Sequence, residues 1–300
     1  MKNMDMMFRP PYEARSYLLL VTSGCSHNVC RFCSMYTHVP FEEAPPDLVE
    51  KQLMYAKRYH PDVTRLFLVN GDPFTLSADK LLRIADLIHA YLPEAKEIAT
   101  YAQIRNIASK TDDELRALAQ AGFTDLNIGL ESGMDDVLSY MRKGYDSEEA
   151  VRQMTRLNEA GLPFTVNVIF GAAGAGRGVM HGEETAKVLN RVQPGLVFTN
   201  TIHASEGSDL YEDMKAGLFT EPDFAEYIRE EERFLETLEM NDSTYFGMHP
   251  ANILQLMGHL PDDKEKLLKR LRSERDAADA SLLSERPLRF GNEGMICNWN

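Results

Sequence analysis

The sequence has little that would assign it to a membrane or secreted class. Its 300 residues include no apolar run near the roughly 20 needed to cross a bilayer, and Tyr17 to Val21 is too short for the core of a signal peptide. There is no internal repeat, low-complexity tract or Ser/Gly linker to divide the chain. We therefore expect one main domain in the cytoplasm, without a membrane anchor.

Positive charge is also scarce. The chain has 32 Lys and Arg against 46 Asp and Glu, a formal net charge of -14. Sequence-independent binding of nucleic acid depends on many basic side chains that release counterions from phosphates. The basic segments 142–143, 266–275 and 286–289 are separated and mostly interleaved with acidic residues. A large nucleic-acid partner is therefore not expected.

Cysteine is rare and unevenly placed, because three of the four cysteines lie within nine residues. Cys25, Cys30 and Cys33 form a C-x4-C-x2-C run directly after an apolar segment. Three thiolates on one loop can hold three corners of a [4Fe-4S] cube and leave the fourth iron open. A structural zinc site, which would need His27 as fourth ligand, is the alternative. Disulfides are disfavoured, since pairing within the run leaves one thiol over.

Apolar strands alternate with amphipathic helices along much of the chain, and each strand ends in a polar or glycine-rich loop. This pattern predicts an α/β fold, a partial (β/α)6 TIM-like barrel whose strand C-termini gather at one face with the cysteine loop. The predicted strands are 17–22, 65–69, 97–101, 126–130, 164–170 and 196–202, and the helices between them are 45–59, 78–91, 112–121, 147–160 and 183–192.

The predicted domain organisation has three parts. Residues 1–16 form an N-terminal arm, residues 17–202 the barrel core, and residues 203–300 a C-terminal helical extension that closes the barrel. Within the extension, helical apolar spacing covers 222–238 and 262–280. The tail after residue 290 carries Cys297 and Trp299.

The cysteine run, Phe32 just before its last cysteine, and the barrel-like pattern over residues 17–202 resemble the radical S-adenosylmethionine (SAM) superfamily. The most frequent spacing there is C-x3-C-x2-C, so the first gap is one residue longer in this chain. The order of motifs is most similar to the branch of oxygen-independent coproporphyrinogen oxidase.

The resemblance implies a radical SAM enzyme. A [4Fe-4S] cluster on Cys25, Cys30 and Cys33 would reductively cleave SAM to a 5′-deoxyadenosyl radical that abstracts hydrogen from a small-molecule substrate, with electrons from a donor such as flavodoxin or ferredoxin. The branch also contains relatives that bind haem without turning it over, so an Fe-S or haem-binding carrier or chaperone is the alternative. No catalytic residue is assigned from the sequence.

The loops after the second and fourth predicted strands supply the first SAM contacts that the resemblance implies. Gly71 and Asp72 fall where the superfamily has a Gly-Gly-Glu-Pro-like loop that receives the SAM ammonium, although an ordinary turn would also favour these residues. Glu131 matches a polar contact to the ribose hydroxyls. Lys143 matches a cation for the SAM carboxylate, with a solvated Lys143 or the neighbouring Arg142 as alternatives.

The fifth predicted strand supplies the remaining contacts. By resemblance, Asn167, Ile169 and Gly171 read the ribose and adenine, and Phe32 packs on the adenine. Without the resemblance, Asn167 is a buried amide that needs partners, and Phe32 is a core residue. The glycine-rich segment 171–178 lacks the endings of a phosphate-binding loop.

The loop after the sixth predicted strand is acidic, which favours a cationic or polar substrate. Its candidate residues are His203, Ser205, Glu206 and Asp209. His249 and Cys297 are further candidates without an assigned role, and the substrate is not indicated.

Overall fold

The computed structural model describes residues 7–286, so Cys297 and Trp299 lie outside the described residues. Strands and helices alternate over most of this range. The strands are β1 (Tyr17–Leu20), β2 (Thr22–Ser23), β3 (Glu42–Glu43), β4 (Arg65–Val69), β5 (Glu97–Ala102), β6 (Phe123–Glu131), β7 (Phe164–Phe170), β8 (Leu196–Thr201), β9 (Ser243–Phe246) and β10 (Met257–Leu260). The helices are α1 (Pro46–Tyr59), α2 (Ala78–Tyr91), α3 (Ile104–Ala108), α4 (Asp112–Gln120), α5 (Asp135–Tyr140), α6 (Ser147–Ala160), α7 (Gly178–Val192), α8 (Asp209–Lys215), α9 (Phe224–Thr237), α10 (Lys264–Ala277) and α11 (Ala280–Leu283).

Eight strands form one mostly parallel sheet in the order β1-β4-β5-β6-β7-β8-β9-β10. The pairs β1–β4, β4–β5, β5–β6 and β8–β9 are parallel, and β9–β10 is antiparallel. The predicted α/β class and all six predicted strands are confirmed. The sequence prediction did not include β9 and β10, because these four-residue strands have no apolar run long enough to signal a strand.

The core strands and helices follow from their apolar patterns. Four consecutive residues of β4, from Leu66 to Val69, are fully buried, as expected for a strand covered on both faces. Helix α2 buries Leu81, Ala85 and Ile88 at helical spacing. Helix α4 begins with a capping box in which the Thr111 hydroxyl accepts the Glu114 N–H at 3.2 Å.

The described chain divides into two compact units. The first contains residues 7–28, 36–129 and 152–165, and the second contains residues 29–35, 130–151 and 166–286. The division falls inside the cysteine run, because Cys25 belongs to the first unit and Cys30 and Cys33 to the second. The predicted boundaries at residues 16 and 202 stay predictions.

In the first unit, an arginine ties the strand N-termini to the segment before β1. Arg65 forms ion pairs with Glu13, Glu97 and Asp125. Glu13 is 1% exposed and lies in a short 3₁₀ turn. The contacts raise the pKa of Arg65 although burial opposes the rise, so the guanidinium stays charged and holds this segment on the sheet.

In the second unit, α9 packs along α7 through a seam that is partly polar. The side chains of Glu230 and His181 are fully buried, and Nδ1 of His181 lies 2.5 Å from a Glu230 carboxylate oxygen. On the apolar side of the seam, the rings of Phe170 and Phe234 meet edge to face with centroids 5.3 Å apart. Among residues 7–286, no helix has the length and hydropathy to span a bilayer.

Candidate functional site

The cysteine segment starts from a backbone that only glycine accommodates easily. Gly24 has a φ of +66°, and a Cβ there would lie 2.7 Å from the Pro40 carbonyl oxygen. In the longer first gap, Asn28 takes a left-handed φ of 42° and its amide donates to the Tyr36 carbonyl at 2.8 Å. The gap between Cys25 and Cys30 therefore contains a left-handed turn that a hydrogen bond to Tyr36 holds.

Each of the three cysteines is partly exposed, and within residues 7–286 they form no disulfide. The Cys33 N–H donates to the Cys30 carbonyl at 3.2 Å, which places both on one turn of the second unit. Burial raises the pKa of the Cys33 thiol, and Lys143 and a backbone hydrogen bond at Met35 oppose that rise. No three His, Cys, Asp or Glu side chains of residues 7–286 are grouped as a metal-binding set, so the ligand role of the cysteines stays a prediction.

In the first unit, Gly71 lies directly against Cys25. Its N–H donates to the Gly24 carbonyl at 3.0 Å, and a Cβ at this position would lie 2.5 Å from Cys25 Cα. The preceding residue, Asn70, is buried with a left-handed φ of 77°. Asparagine adopts this conformation more readily than most residues, and the Asn70 amide donates to the Thr22 carbonyl at 2.9 Å, which ties the loop after β4 to the chain just before Gly24.

Asp72 is fully buried and its carboxylate holds the residue after Cys25. One oxygen accepts the Ser26 N–H at 2.7 Å, and the other accepts the Ser26 hydroxyl at 2.5 Å. Amide groups of Gln103 and Asn106 approach the second oxygen at 2.8 and 3.4 Å. Its expected contact with the SAM ammonium stays a prediction, while its contact with the cysteine loop is observed.

Gln103 follows β5 and was not among the sequence candidates. Its Nε2 lies 2.8 Å from Asp72 Oδ2 and 3.5 Å from Cys25 Sγ. The neighbouring Arg105 donates to the Ser26 hydroxyl at 2.9 Å. The sequence did contain a signal for Gln103 and Arg105, which are polar residues directly after the third predicted strand. The loops after the second and fourth strands were already predicted to bind SAM, so the loop between them was a candidate as well.

In the second unit, Glu131 and Lys143 form a buried ion pair. Lys143 Nζ lies 3.0 Å from Glu131 Oε1, and the two residues are 6% and 8% exposed. Glu131 ends β6 with a left-handed φ of 71°. Arg142, the alternative cation in the sequence prediction, is exposed and pairs with Asp209. Of these two basic residues, only Lys143 is buried.

Aromatic rings surround Lys143. Its ammonium lies 5.8 Å from the ring centroid of Phe32 and 6.0 Å from that of Tyr145. Burial alone would lower the pKa of Lys143, but the paired Glu131 carboxylate raises it well above its usual value. Lys143 is therefore held as a cation between Glu131 and the Phe32 ring.

Two of the predicted SAM contacts, Asn167 and Ile169, lie on strand β7. Their side chains are on the same side of the strand, because side chains alternate along it. The Oδ1 atom of Asn167 is buried with no hydrogen-bond partner in the described structure, and Ile169 is 5% exposed. Asn200 on β8 has the same unpaired buried Oδ1. Unpaired buried carbonyl oxygens are uncommon and fit a ligand that donates hydrogen bonds.

Gly171 begins the glycine-rich segment after β7, and its position is set by α9. Its φ is +82°, and a Cβ there would lie 2.7 Å from the Tyr227 hydroxyl. Its N–H donates to both carboxylate oxygens of Glu230, at 3.1 and 3.0 Å. The Gly178 N–H donates to Glu226 at 2.9 Å, so buried glutamates hold both ends of this segment.

Arg31 anchors the segment that carries Cys30 and Cys33. Its guanidinium pairs with Asp213, lies 4.5 Å from the Tyr140 ring centroid and donates to the Tyr140 carbonyl at 2.9 Å. Arg31 and its two partners could not be predicted from the sequence, because contacts between residues more than 100 positions apart leave no local pattern.

The remaining candidates lie after β8. The Ser205 carbonyl accepts hydrogen bonds from the N–H and hydroxyl of Ser208, which caps α8. His249 accepts the Ala251 N–H at 3.1 Å and meets the Phe198 ring with centroids 5.9 Å apart. His203 is partly exposed and Glu206 is exposed, and their roles stay predictions.

Comparisons with known proteins identify chains that are similar in sequence or fold. The heme chaperone HemW of Bacillus subtilis is 24% identical over 193 residues, which are 59% of this chain and 50% of HemW. The chain thus spans about half the length of this curated relative. The similarity agrees with the predicted branch.

Two solved structures share the fold. The radical SAM methyltransferase TsrM from Kitasatospora setae gives a TM-score of 0.55 at 17% identity and covers 68% of this chain and 41% of its own. Methylornithine synthase (PylB) gives 0.53 at 12% identity and covers 87% and 81%.

The model of the family described as "Radical SAM superfamily" matches residues 19–175, which is more than half of the chain and includes the cysteine run and strands β4 to β7. Members of this superfamily generally use a [4Fe-4S] cluster and SAM. The chain belongs to the radical SAM superfamily.

Proposed function

We propose that this protein is a radical SAM enzyme in which Cys25, Cys30 and Cys33 bind a [4Fe-4S] cluster with one open iron. When bound, the cluster and SAM together supply a 5′-deoxyadenosyl radical able to abstract hydrogen from a small-molecule substrate. The observation that carries the proposal is the buried Lys143 ammonium, which pairs with Glu131 at 3.0 Å and lies 5.8 Å from the ring centroid of Phe32, the residue before Cys33. A cation there suits an anionic cofactor group, and it opposes the rise that burial causes in the pKa of Cys33.

The chain's own residues bind and orient SAM in this proposal. Lys143 pairs with the SAM carboxylate, and Glu131 accepts hydrogen bonds from the ribose hydroxyls. The unpaired Asn167 Oδ1 and the backbone near Ile169 bind the ribose and adenine, because a buried acceptor gains most from a new donor. The Phe32 ring packs on the adenine.

Gly71 and Asp72 position the loop that receives the SAM ammonium. The missing Cβ of Gly71 allows backbone to approach Cys25, and the Asp72 carboxylate fixes Ser26. The loop is therefore preorganised before SAM arrives, which lowers the entropy cost of binding. An electron donor such as flavodoxin or ferredoxin, and a reducing cytoplasmic setting, complete the proposal.

The decisive experiment uses protein purified and reconstituted without oxygen, reduced with dithionite and incubated with SAM. We expect 5′-deoxyadenosine from the wild type and none above background from Cys30→Ala. Wild-type protein that carries a full [4Fe-4S] cluster but forms no 5′-deoxyadenosine above the Cys30→Ala control would contradict an enzymatic role. Zinc instead of iron after anaerobic purification would contradict the cluster itself.

A carrier or chaperone role is the second candidate, and the similarity to the heme chaperone HemW favours it. Haem titration followed by absorbance separates the two functions when it is run beside the SAM assay. Stoichiometric haem binding without 5′-deoxyadenosine supports the carrier. For the enzyme, deuterium transfer from candidate metabolites into 5′-deoxyadenosine identifies the substrate.

A further inference from the structure

The side chain of Gln103 occupies a position that the proposed SAM contacts do not use. Its Nε2 lies between two acceptors, 3.5 Å from Cys25 Sγ and 2.8 Å from Asp72 Oδ2. We propose that Gln103 donates an N–H to the sulfur of Cys25 and thereby raises the reduction potential of the bound cluster. This inference rests on the proposed function, since it requires that Cys25 is a cluster ligand.

The direction of the amide follows from Asp72. A glutamine side chain presents an oxygen that only accepts and a nitrogen with two N–H donors. Both Asp72 oxygens accept hydrogen bonds, Oδ1 from the Ser26 N–H and Oδ2 from the Ser26 hydroxyl, so they select the nitrogen end of Gln103. Once one N–H is donated to Asp72, the second is available for Cys25 Sγ.

The position of Asp72 is itself fixed. The carboxylate is fully buried and accepts the N–H and the hydroxyl of Ser26, the residue after Cys25. Gln103 is fixed as well. Its backbone N–H donates to Asn106 Oδ1 at 2.8 Å, which holds the residue at the start of α3. Gln103, Asp72 and Cys25 are therefore positioned by contacts that do not depend on SAM.

The electrostatic consequence has a definite sign. An N–H directed at a cysteine sulfur stabilises negative charge on that sulfur, and a cluster becomes more negative when it is reduced. Loss of the donor therefore lowers the reduction potential. A hydrogen-bond contribution of this kind changes the electron-transfer equilibrium roughly threefold to tenfold, and a tenfold change corresponds to about 59 mV for one electron.

The test compares Gln103→Leu with Gln52→Leu in SAM-free, reconstituted protein. Gln52 is the matched control, because its amide also supports the chain near the cysteine run. It accepts the Leu20 N–H at 3.0 Å and donates to the Leu20 carbonyl at 2.9 Å, and within residues 7–286 it has no hydrogen bond to a sulfur. A redox titration followed by electron paramagnetic resonance (EPR) measures the potential. We expect a lower potential for Gln103→Leu and an unchanged one for Gln52→Leu, at equal iron content.

A second measurement needs no variant. Wild-type protein labelled with ¹⁵N in glutamine side chains should show a ¹⁵N coupling to the reduced cluster in pulsed EPR. Absence of this coupling, or equal potentials for Gln103→Leu and the wild type at full iron content, would overturn the inference and leave the proposed function intact. Failure of the wild type to assemble a [4Fe-4S] cluster would instead overturn both.

Discussion

Lys143 and Glu131 lie twelve residues apart in the sequence and 3.0 Å apart in space, as a buried ion pair beside the segment of Cys30 and Cys33. Burying two charges is costly unless each compensates the other. The pair therefore holds an ammonium and a carboxylate in place before any ligand binds. Both are residues whose side chains we propose to contact SAM.

Removing the cation should destabilise the protein strongly. In Lys143→Met, the Glu131 carboxylate stays buried without its partner, so we expect the free energy of unfolding to fall by about 3–5 kcal/mol at pH 7. Urea denaturation followed by circular dichroism measures the change. Arg142→Met is the control, because its pair with Asp209 is half-exposed and should contribute under about 1 kcal/mol. Equal losses in the free energy of unfolding for the two variants would show that the buried pair contributes no more to stability than the half-exposed pair.

Gly71→Ala should displace the cysteine loop. The new Cβ would lie 2.5 Å from Cys25 Cα, in backbone that cannot move aside without shifting the cysteine. We expect iron per protein after reconstitution to fall by more than half while the circular dichroism spectrum persists. Gly161→Ala serves as control, since its φ of +67° adds backbone strain but no atom of residues 7–286 lies within 4 Å of the added Cβ. Full iron content in Gly71→Ala would argue against a close fit at this contact.

Arg31→Met should loosen the segment with Cys30 and Cys33. The variant loses the ion pair to Asp213 and the contacts with Tyr140. We expect iron to be lost to a chelator roughly threefold to tenfold faster than from the wild type. Arg177→Met removes an exposed pair with Asp136 in the same unit and should not change the rate. A similar rate for Arg31→Met and the wild type would contradict the anchoring role.

Glu231 should make stability depend on pH. Burial raises the pKa of this carboxyl to about 7, and its oxygen accepts the Tyr245 hydroxyl at 2.5 Å. Because the pKa of Glu231 is higher in the folded protein than in the unfolded protein, the folded protein binds the proton more tightly. The contribution of Glu231 to the free energy of unfolding is therefore largest below about pH 4 and is lost as the pH rises through about 7. Glu231→Gln should therefore gain stability relative to the wild type between pH 5 and pH 8.

Urea denaturation at pH 5, 6, 7 and 8 measures this difference. The exposed Glu239→Gln is the control and should follow the wild type at each pH. Parallel pH profiles for Glu231→Gln and the wild type would contradict a raised pKa in the folded protein.

Local patterns were sufficient to predict most of the fold. The six apolar strands and helices α2 and α6 have bounds that agree with the sequence to within a few residues, because their signals are contained in four to fourteen consecutive positions. Helix α7 begins at Gly178 rather than at Glu183, since glycines near its start weakened the helical pattern. Strand β9 depends on parallel pairing with β8, which no local pattern records.

The candidate site, like the fold, could be predicted only in part from the sequence. The spacing of Cys25, Cys30 and Cys33, the loop with Gly71 and Asp72, and a cation at position 142 or 143 could be predicted along the chain. The superfamily is confirmed, and the roles of these residues stay predictions. The choice of Lys143 over Arg142 as the buried cation was not readable. Adjacent side chains leave a turn in different directions, and only packing decides which one is buried.

By itself, then, the sequence determined the alternation of strands and helices and the presence of a three-cysteine loop after β1, since both are matters of residue type and short spacing. Tertiary structure alone decided that Asp72 holds Ser26, that Gln103 approaches the sulfur of Cys25, and that Arg31 reaches Asp213. These contacts join residues 46, 78 and 182 positions apart. Hydrogen bonds and ion pairs over such separations depend on how the strands and loops pack together, which no local pattern records.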